Sequence, residues 1–175
     1  MRNFAIAAVV LILLASPLAA QRQRASPHEQ ISAAVDGKKI TIDYGRPYVK
    51  GRKMVGGIEP WGNPWRAGAD EATKLTSEAD LTIGNLKVPA GSYALFVLPV
   101  ESGTWKLIVN KVSNQWGAFK YDPASDLGRV DLAVKTGGAN TEQLTYSFEG
   151  LGPGKKGALR LAWETWQATV PVAVP

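Results

Sequence analysis

From residue 31 onward, short apolar runs alternate with turn residues in a pattern typical of β-hairpins. Asp36-Gly37 and Gly84-Asn85 are turn pairs that favour tight two-residue connections. Each pair stands between two runs in which every second residue is apolar, and this arrangement predicts two hairpins. The predicted strands cover residues 31–35, 39–44, 81–83 and 86–88.

Residues 93–98, Tyr-Ala-Leu-Phe-Val-Leu, are apolar on both faces of a strand. This predicts a central strand that is covered on both sides. Residues 105–110 follow a Glu-Ser-Gly turn, and we expect them to pair with the central strand. Residues 129–134 and 143–149 alternate apolar and polar side chains, as half-buried antiparallel strands do.

The apolar pattern changes phase near the carboxyl terminus. Residues 159, 161 and 163 are apolar in one phase, and residues 166, 168 and 170 are apolar in the other, with no Gly or Pro between. We therefore expect a bulge or bend at Glu164 and Thr165, where the strand would pass from one sheet to the other.

The whole pattern predicts an all-β fold, because no segment of ten or more residues has a helical apolar stripe. Eight or nine short strands with turns at this spacing indicate an antiparallel two-sheet β-sandwich, for which a jelly-roll-like topology is one option. We expect one core to hold the inward-facing residues of the predicted strands, among them Phe96, Trp105, Leu132, Tyr146, Phe148 and Leu161.

The amino terminus has the features of a secretory signal peptide. Arg2 precedes an apolar run over residues 4–14, and small residues lead up to Ala20. We expect cleavage after Ala20 and a periplasmic or secreted protein. The apolar run is shorter than the roughly 20 residues that span a bilayer, so we expect no stable membrane insertion once residues 1–20 are removed.

Residues 21–30 are polar, and we predict that they form a mobile arm. His28, the only histidine of the chain, lies in this arm without a companion ligand. We therefore expect its imidazole to be solvated and dispensable. Residues 31–175 remain as a single domain, which is long enough to bury a core.

The composition excludes several kinds of chemistry. The chain has no cysteine, and therefore no disulfide and no thiol nucleophile. It has no His and Cys metal pattern, no Gly-rich phosphate loop and no Ser nucleophile elbow, so we predict no metal, no cofactor and no common catalytic constellation. Basic residues outside one loop are matched by acids, which does not favour a nucleic-acid partner. The oligomeric state stays open.

That loop, residues 44–66, carries most of the net charge. It holds five basic residues against Glu59, a local charge of 5 − 1 = +4 in a chain of net charge +5. Long ordered loops on a β scaffold are common places for binding surfaces. Arginine forks suit carboxylate or phosphate groups, and tryptophan faces can stack on a sugar ring. We predict a site for a small sugar or anionic ligand, with the candidate residues Arg46, Arg52, Trp61, Trp65, Arg66 and Asp70.

An alternative interpretation gives the same loop a structural role. Its arginines would bind backbone carbonyls and nearby acids, and its tryptophans would close one end of the sandwich. The two interpretations are compatible if only one edge of the loop is exposed. Arg46 stands next to a strand end, so we expect it to anchor the loop, whereas Arg52, between Gly51 and Lys53, is expected at the surface.

Several short segments carry a family resemblance in their order and spacing. They are Asp-Tyr-Gly-Arg-Pro at 43–47, Gly-Arg-Lys at 51–53, Pro-Trp-Gly at 60–62, Trp-Arg-Ala-Gly-Ala-Asp at 65–70, Ala-Thr at 72–73, Pro-Ala-Gly-Ser-Tyr-Ala-Leu-Phe at 89–96 and Gln-Trp-Gly-Ala at 115–118. Together they resemble the exported bacterial family filed as domain of unknown function 2911. The resemblance implies a compartment and a fold but no mechanism. It also implies Asn at the position where this chain has Asp70.

Three functions follow from these observations. The first is a non-catalytic binding or interaction module of the cell envelope, which the loop favours. The second is a carboxylate-dependent hydrolase of envelope carbohydrate, which would use acids such as Asp43, Glu59, Asp70 and Glu71. Adjacent residues at the start of a strand point to opposite faces, so we do not expect Asp70 and Glu71 to meet. The third is a purely structural envelope protein.

Overall fold

The computed structural model describes residues 24–175. The predicted signal peptide and the first three residues of the predicted arm lie outside the described residues. The described chain forms the strands β1 His28–Val35, β2 Lys38–Gly45, β3 Thr73–Ser77, β4 Leu81–Ile83, β5 Leu86–Val88, β6 Gly91–Leu98, β7 Lys106–Asn110, β8 Asp126–Asp131, β9 Ala133–Lys135, β10 Thr141–Glu149, β11 Lys156–Glu164 and β12 Trp166–Ala173. One short 3₁₀ turn, Pro123–Ser125, precedes β8. No helix between residues 24 and 175 is long and apolar enough to cross a membrane.

The strands form two antiparallel sheets, which confirms the predicted all-β sandwich. The first sheet has the order β1-β2-β3-β6-β7-β8, and the second has the order β10-β11-β12-β4-β5, with β9 paired to β12. Strands that are consecutive in the chain mostly lie side by side, and the β4–β5 hairpin is the excursion from the first sheet to the second. These connections differ from the Greek keys of a jelly roll.

Both predicted hairpins are present in the predicted register. Val35 pairs with Lys38 across Asp36-Gly37, and Ile83 pairs with Leu86 across Gly84-Asn85. Asp36 and Gly37 have φ values of 50° and 74°. Two successive positive φ angles are what a tight two-residue hairpin turn requires.

The central strand β6 is covered on both faces, as predicted. Its inward residues, including Leu95 and Val97, belong to the main core between the sheets. Phe96 lies on the opposite face, in a second cluster with Ala72, Ala94 and Ile108. The ring of Tyr121 covers Phe96 at a centroid distance of 4.9 Å. Our assignment of Phe96 to the same core as Trp105 and Tyr146 is therefore wrong, because it neglects the alternation of β6.

The predicted bend at Glu164 and Thr165 is also wrong. Trp163 pairs directly with Trp166, so the two intervening residues are a hairpin turn inside the second sheet. Glu164 has a φ of 51°. The apolar phase changes because the chain reverses there, not because it changes sheet. The change of sheet occurs instead at Leu132, between β8 of the first sheet and β9 of the second.

The predicted mobile arm is wrong for residues 28–30. They belong to β1, where His28 pairs with Gly45 and Gln30 with Asp43. The hydrogen bond from the amide of Arg46 to the carbonyl of Pro27, at 2.8 Å, extends the contact by one residue. An edge strand is held by its backbone and can carry polar side chains on both faces, so apolar periodicity does not detect this part of β1.

Candidate functional site: a polar pocket beneath the β2–β3 loop

Residues 46–72 connect β2 to β3 and contact both sheets. We call this segment the β2–β3 loop. Trp65 forms a bridge with Val97 of β6, and Tyr48 forms a bridge with Gln143 of β10. The chain returns against the end of β2, where the amide of Ala69 donates to the carbonyl of Gly45 at 3.2 Å. A Cβ at position 45 would stand 2.3 Å from the carbonyl oxygen of Ala69, so this approach requires glycine.

Arg46 anchors the loop to the second sheet, as we expected. Its Nε donates to the carbonyl of Leu144 at 3.0 Å, and its Nη2 donates to Oγ1 of Thr145 at 3.0 Å. The same guanidinium forms an ion pair with Glu29 of β1. All of these contacts are internal, so Arg46 is a structural residue.

Arg52 is exposed, but its guanidinium also donates hydrogen bonds to backbone carbonyls of the loop. Its Nε donates to the carbonyl of Val49 at 3.0 Å, and its Nη2 donates to the carbonyl of Tyr48 at 2.6 Å. These two bonds close a turn within the loop. The expectation of a surface position is met, although the side chain is more constrained than a free surface arginine.

The two predicted tryptophans pack against other tryptophans. Trp65 is 2% exposed and stacks on Trp163, with centroids 5.3 Å apart and ring planes 15° apart. Trp61 is half-buried and contacts Trp105 edge to face at 5.8 Å. The prediction that Trp65 offers a face to a sugar ring is wrong, because that face is already covered inside the core.

A pocket of about 460 Å³ lies beneath the loop. We call it the loop pocket. Three of the six predicted residues line it, namely Arg52, Arg66 and Asp70. Arg46, Trp61 and Trp65 are not among its lining residues. Sequence reasoning missed several others that do line it, including Tyr48, Lys50 and Trp163.

Arg66 has no hydrogen-bond or ion-pair partner among the described residues. Its guanidinium makes no hydrogen bond, and no ion pair within 4.0 Å, with any residue from 24 to 175, although its Nε is buried. Burial without a partner is costly for a polar group. Glu59 lines the same pocket and senses the charge of Arg66. Burial raises the pKa of Glu59 above its ordinary value, and the positive charge of Arg66 offsets part of that rise.

A second polar group forms where β1 meets the end of the loop, and we call it the His28 cluster. His28 Nε2 lies 3.0 Å from Oε2 of Glu71 and 3.9 Å from Oδ2 of Asp70. His28 Nδ1 lies 3.6 Å from Oδ1 of Asp43. One ligand atom from each of His28, Asp70 and Glu71 lies within 4.8 Å of the others. These residues were not predicted to meet.

The backbone explains why Asp70 and Glu71 converge. Asp70 has a φ of 63°, in the left-handed region. Strand alternation does not apply through such a residue, so our expectation that the two carboxylates point apart is wrong. Aspartate and asparagine are the non-glycine residues that most readily adopt this conformation, which accounts for the residue type at position 70.

Arg24 contacts the same cluster from the segment before β1. Its guanidinium donates to both carboxylate oxygens of Glu71, at 2.7 and 2.9 Å, and also contacts Nε2 of His28. This hydrogen bonding holds the pKa of Glu71 below its ordinary value. A second pocket of about 400 Å³, lined by Arg24, His28, Asp43 and Glu71 among others, adjoins the cluster.

The sequence contained one signal for the His28 cluster. Extending the predicted Asp36-Gly37 hairpin backward in register pairs His28 with Gly45. That places His28 diagonally across from Asp43 on the neighbouring strand, close enough for long side chains to interact. The contribution of Asp70 and Glu71 had no such signal, because it depends on a single left-handed residue.

These features define a class of protein: an antiparallel β-sandwich with a polar pocket held under one long loop. The family profile described as "Protein of unknown function (DUF2911)" matches residues 26–172. The chain therefore belongs to that family, which confirms the resemblance of the short segments. No curated protein and no solved structure matches the chain.

Proposed function

We propose that the protein is an exported, non-catalytic binding module of the cell envelope. Its loop pocket would hold a small polar ligand with a carboxylate or phosphate group, of which a sugar acid is an example. The observation that carries this proposal is Arg66, whose guanidinium lacks a partner among the described residues while its Nε is buried. Export rests on the signal-peptide pattern of residues 1–20.

The charge of the loop pocket supports an anionic ligand. Lys50, Arg52 and Arg66 line it together with the acids Glu59 and Asp70. The lining therefore has a net charge of 3 − 2 = +1 if all five groups are ionised. A planar guanidinium binds a carboxylate or phosphate through two parallel hydrogen bonds, and a partly enclosed site strengthens that contact. The acids can accept hydrogen bonds from hydroxyl groups elsewhere on the ligand.

The structural interpretation of the loop accounts for a different set of residues. Arg46 and Trp65 are committed to internal contacts. The same loop thus has an anchored part and a part that faces the loop pocket. The anchored part reduces the conformational entropy that a ligand would otherwise have to overcome on binding, which favours a preorganised site.

One observation favours the hydrolase as a second candidate. Burial raises the pKa of Glu59, and a carboxyl with a raised pKa can act as a general acid. Asp70 lines the same pocket and would be its partner. Glu71 does not fit that acid role, because Arg24 holds its pKa below the ordinary value. Release of nitrophenol from a panel of nitrophenyl glycosides, lost in Glu59→Gln, would replace the binding proposal with this one.

The binding proposal can be tested with two sugars that differ in one group and with a simple anion. D-glucuronate carries a carboxylate where D-glucose has a hydroxymethyl group, and inorganic phosphate provides the anion alone. At a hundred times Kd, a ligand that binds only the native state stabilises it by about 2.7 kcal/mol. For a domain of this size that raises Tm by roughly 5–10 °C. We expect D-glucuronate or phosphate to raise Tm and D-glucose to have a smaller effect.

The matched variants are Arg66→Gln and Arg160→Gln. Arg160 lies on β11 outside the loop pocket, where its Nε donates to Gln167 at 2.7 Å. We expect Arg66→Gln to lose the ligand-induced shift without a loss of stability, because the substitution breaks no hydrogen bond or ion pair among residues 24–175. Arg160→Gln should keep the shift. An equal response of both variants, or no anion-dependent shift in wild type, would refute the proposal.

A further inference from the structure

The His28 cluster has the composition of a metal site. An imidazole nitrogen and two carboxylate oxygens, from His28, Asp70 and Glu71, lie within 4.8 Å of one another. Nitrogen and oxygen donors of this kind bind divalent transition metals, zinc foremost among them. The cluster differs from a group of surface acids because the imidazole is part of it.

Arg24 shows that the cluster binds positive charge. One terminal nitrogen of its guanidinium lies 2.7 Å from Oε2 of Glu71 and also contacts Nε2 of His28. Two acceptor atoms thus converge on one cationic nitrogen. The third acceptor atom, Oδ2 of Asp70, takes no part in this contact. It is buried and has no hydrogen-bond partner among residues 24–175. A cation at this point would pair with all three atoms.

Asp43 lies where metal-binding histidines usually have an outer contact. A histidine that binds metal through one ring nitrogen generally presents its other N–H to a carboxylate or carbonyl, which fixes the tautomer and the ring orientation. Here Nε2 faces Asp70 and Glu71, and Nδ1 faces Oδ1 of Asp43 at 3.6 Å. That distance is longer than a hydrogen bond, so the imidazole and the Asp43 carboxylate would have to draw closer when a metal is bound.

We propose that His28, Asp70 and Glu71 bind a divalent transition-metal ion such as zinc, with Asp43 positioning the imidazole, and that Arg24 occupies the site when the metal is absent. The separations fit. Ligand atoms about 2.1 Å from a tetrahedral zinc ion are about 3.4 Å apart. The two distances from His28 Nε2, 3.0 and 3.9 Å, lie on either side of that value.

Arg24 can leave the site at little cost. Its side chain is 48% exposed, and the ion pair with Glu71 is of the surface kind that contributes little to stability. It stands four residues before His28, ahead of the first residue of β1. Metal binding would therefore exchange one cation for another without unfolding a strand.

The proposal is independent of the ligand assigned to the loop pocket. The two share Asp70, but Arg66 does not contribute to the His28 cluster. Failure of an anion to bind at Arg66 leaves the metal proposal standing, and the reverse also holds.

The test is zinc titration of the tag-free protein by isothermal calorimetry, with magnesium as the comparison ion. Magnesium prefers an all-oxygen shell and should bind more weakly. We expect one zinc ion per chain. His28→Ala and Glu71→Gln should each weaken zinc binding at least tenfold, and Asp43→Asn about tenfold, as is usual for outer contacts. Thermal melts of each variant establish that it is folded, and His28→Gln replaces His28→Ala if the latter is not.

Arg24 provides the sharpest comparison. Arg24→Ala removes the competing cation, so zinc affinity should rise severalfold. Lys106→Ala is its matched control, because Lys106 pairs with the exposed Asp131 far along the first sheet. It should leave zinc affinity unchanged. His28 is the only histidine, so the imidazole gives one set of NMR signals, which should report zinc at Nε2.

Three results would overturn the proposal. They are the absence of saturable 1:1 zinc binding, zinc binding by His28→Ala equal to that of wild type, and equal effects of Arg24→Ala and Lys106→Ala. The first would show that the His28 cluster holds no zinc ion, the second that the imidazole is not a ligand, and the third that Arg24 does not compete for the site.

Discussion

Arg46→Gln tests whether the loop is anchored as the contacts indicate. The substitution removes hydrogen bonds to the carbonyl of Leu144 and to Oγ1 of Thr145, both 3.0 Å long, together with the ion pair to Glu29. A hydrogen bond from a charged donor contributes about 1.5–3 kcal/mol, and glutamine can restore part of one. The ion pair adds at most about 1 kcal/mol, since the Glu29 side chain is 39% exposed. The expected loss is therefore about 2–4 kcal/mol.

Urea denaturation and thermal melts would measure this loss. For a domain of this length, about 2–4 kcal/mol lowers Tm by roughly 5–15 °C. Arg46→Lys keeps the charge beside Glu29 but not the planar fork, so it should lose an intermediate amount. Lys106→Gln, which removes an exposed ion pair, serves as the control and should change little. An Arg46→Gln protein within 0.5 kcal/mol of wild type would refute the anchoring role.

Two further predictions concern the core and the pH dependence of stability. Phe96→Ala should cost about 3–5 kcal/mol in urea denaturation and Phe148→Ala about 1–2, because Phe96 is fully buried whereas Phe148 is half-buried. Equal losses would contradict this difference in burial. Burial raises the folded-state pKa of Glu59, so the carboxyl group of Glu59 binds its proton more readily in the folded state than in the unfolded state. The stability of the wild type therefore falls as pH rises from about 4.5 through the folded-state pKa. Glu59→Gln should therefore melt higher than wild type at pH 7 but not at pH 4, and a lower Tm at pH 7 would contradict this sign.

The regular strands were predictable because their apolar residues alternate with a period of two and because their turns involve only neighbouring residues. Asp36-Gly37 and Gly84-Asn85 set the register of two hairpins without any long-range information. The errors occur where the same local sequence pattern is compatible with two different structures. A phase change at Glu164 is compatible with a bulge or with a two-residue turn, and only the pairing of Trp163 with Trp166 decides between them.

The candidate site was less predictable because irregular backbone builds it. Sequence composition singled out the β2–β3 loop, and three of its candidate residues, Arg52, Arg66 and Asp70, line the loop pocket. It did not separate Arg46 from Arg66, since both are arginines of one loop with an aromatic residue within two positions. That separation depends on whether a carbonyl such as Leu144 lies within reach, and Leu144 is 98 residues away in the chain.

Asp70 contributes both to the backbone geometry of the β2–β3 loop and to the polar groups of the candidate site. Its φ of 63° brings its carboxylate beside that of Glu71, and the same residue lines the loop pocket. Asparagine, which the family resemblance implies at this position, adopts the left-handed conformation as readily, so the backbone does not require the charge. The Asp70 side chain is 30% exposed, so water offsets part of its charge. His28 Nε2 lies 3.9 Å away, and Oδ2 of Asp70 has no hydrogen-bond partner within residues 24–175. An acid without a hydrogen-bond partner among the described residues, where a neutral residue would satisfy the fold, is what a cation-binding role for the His28 cluster requires.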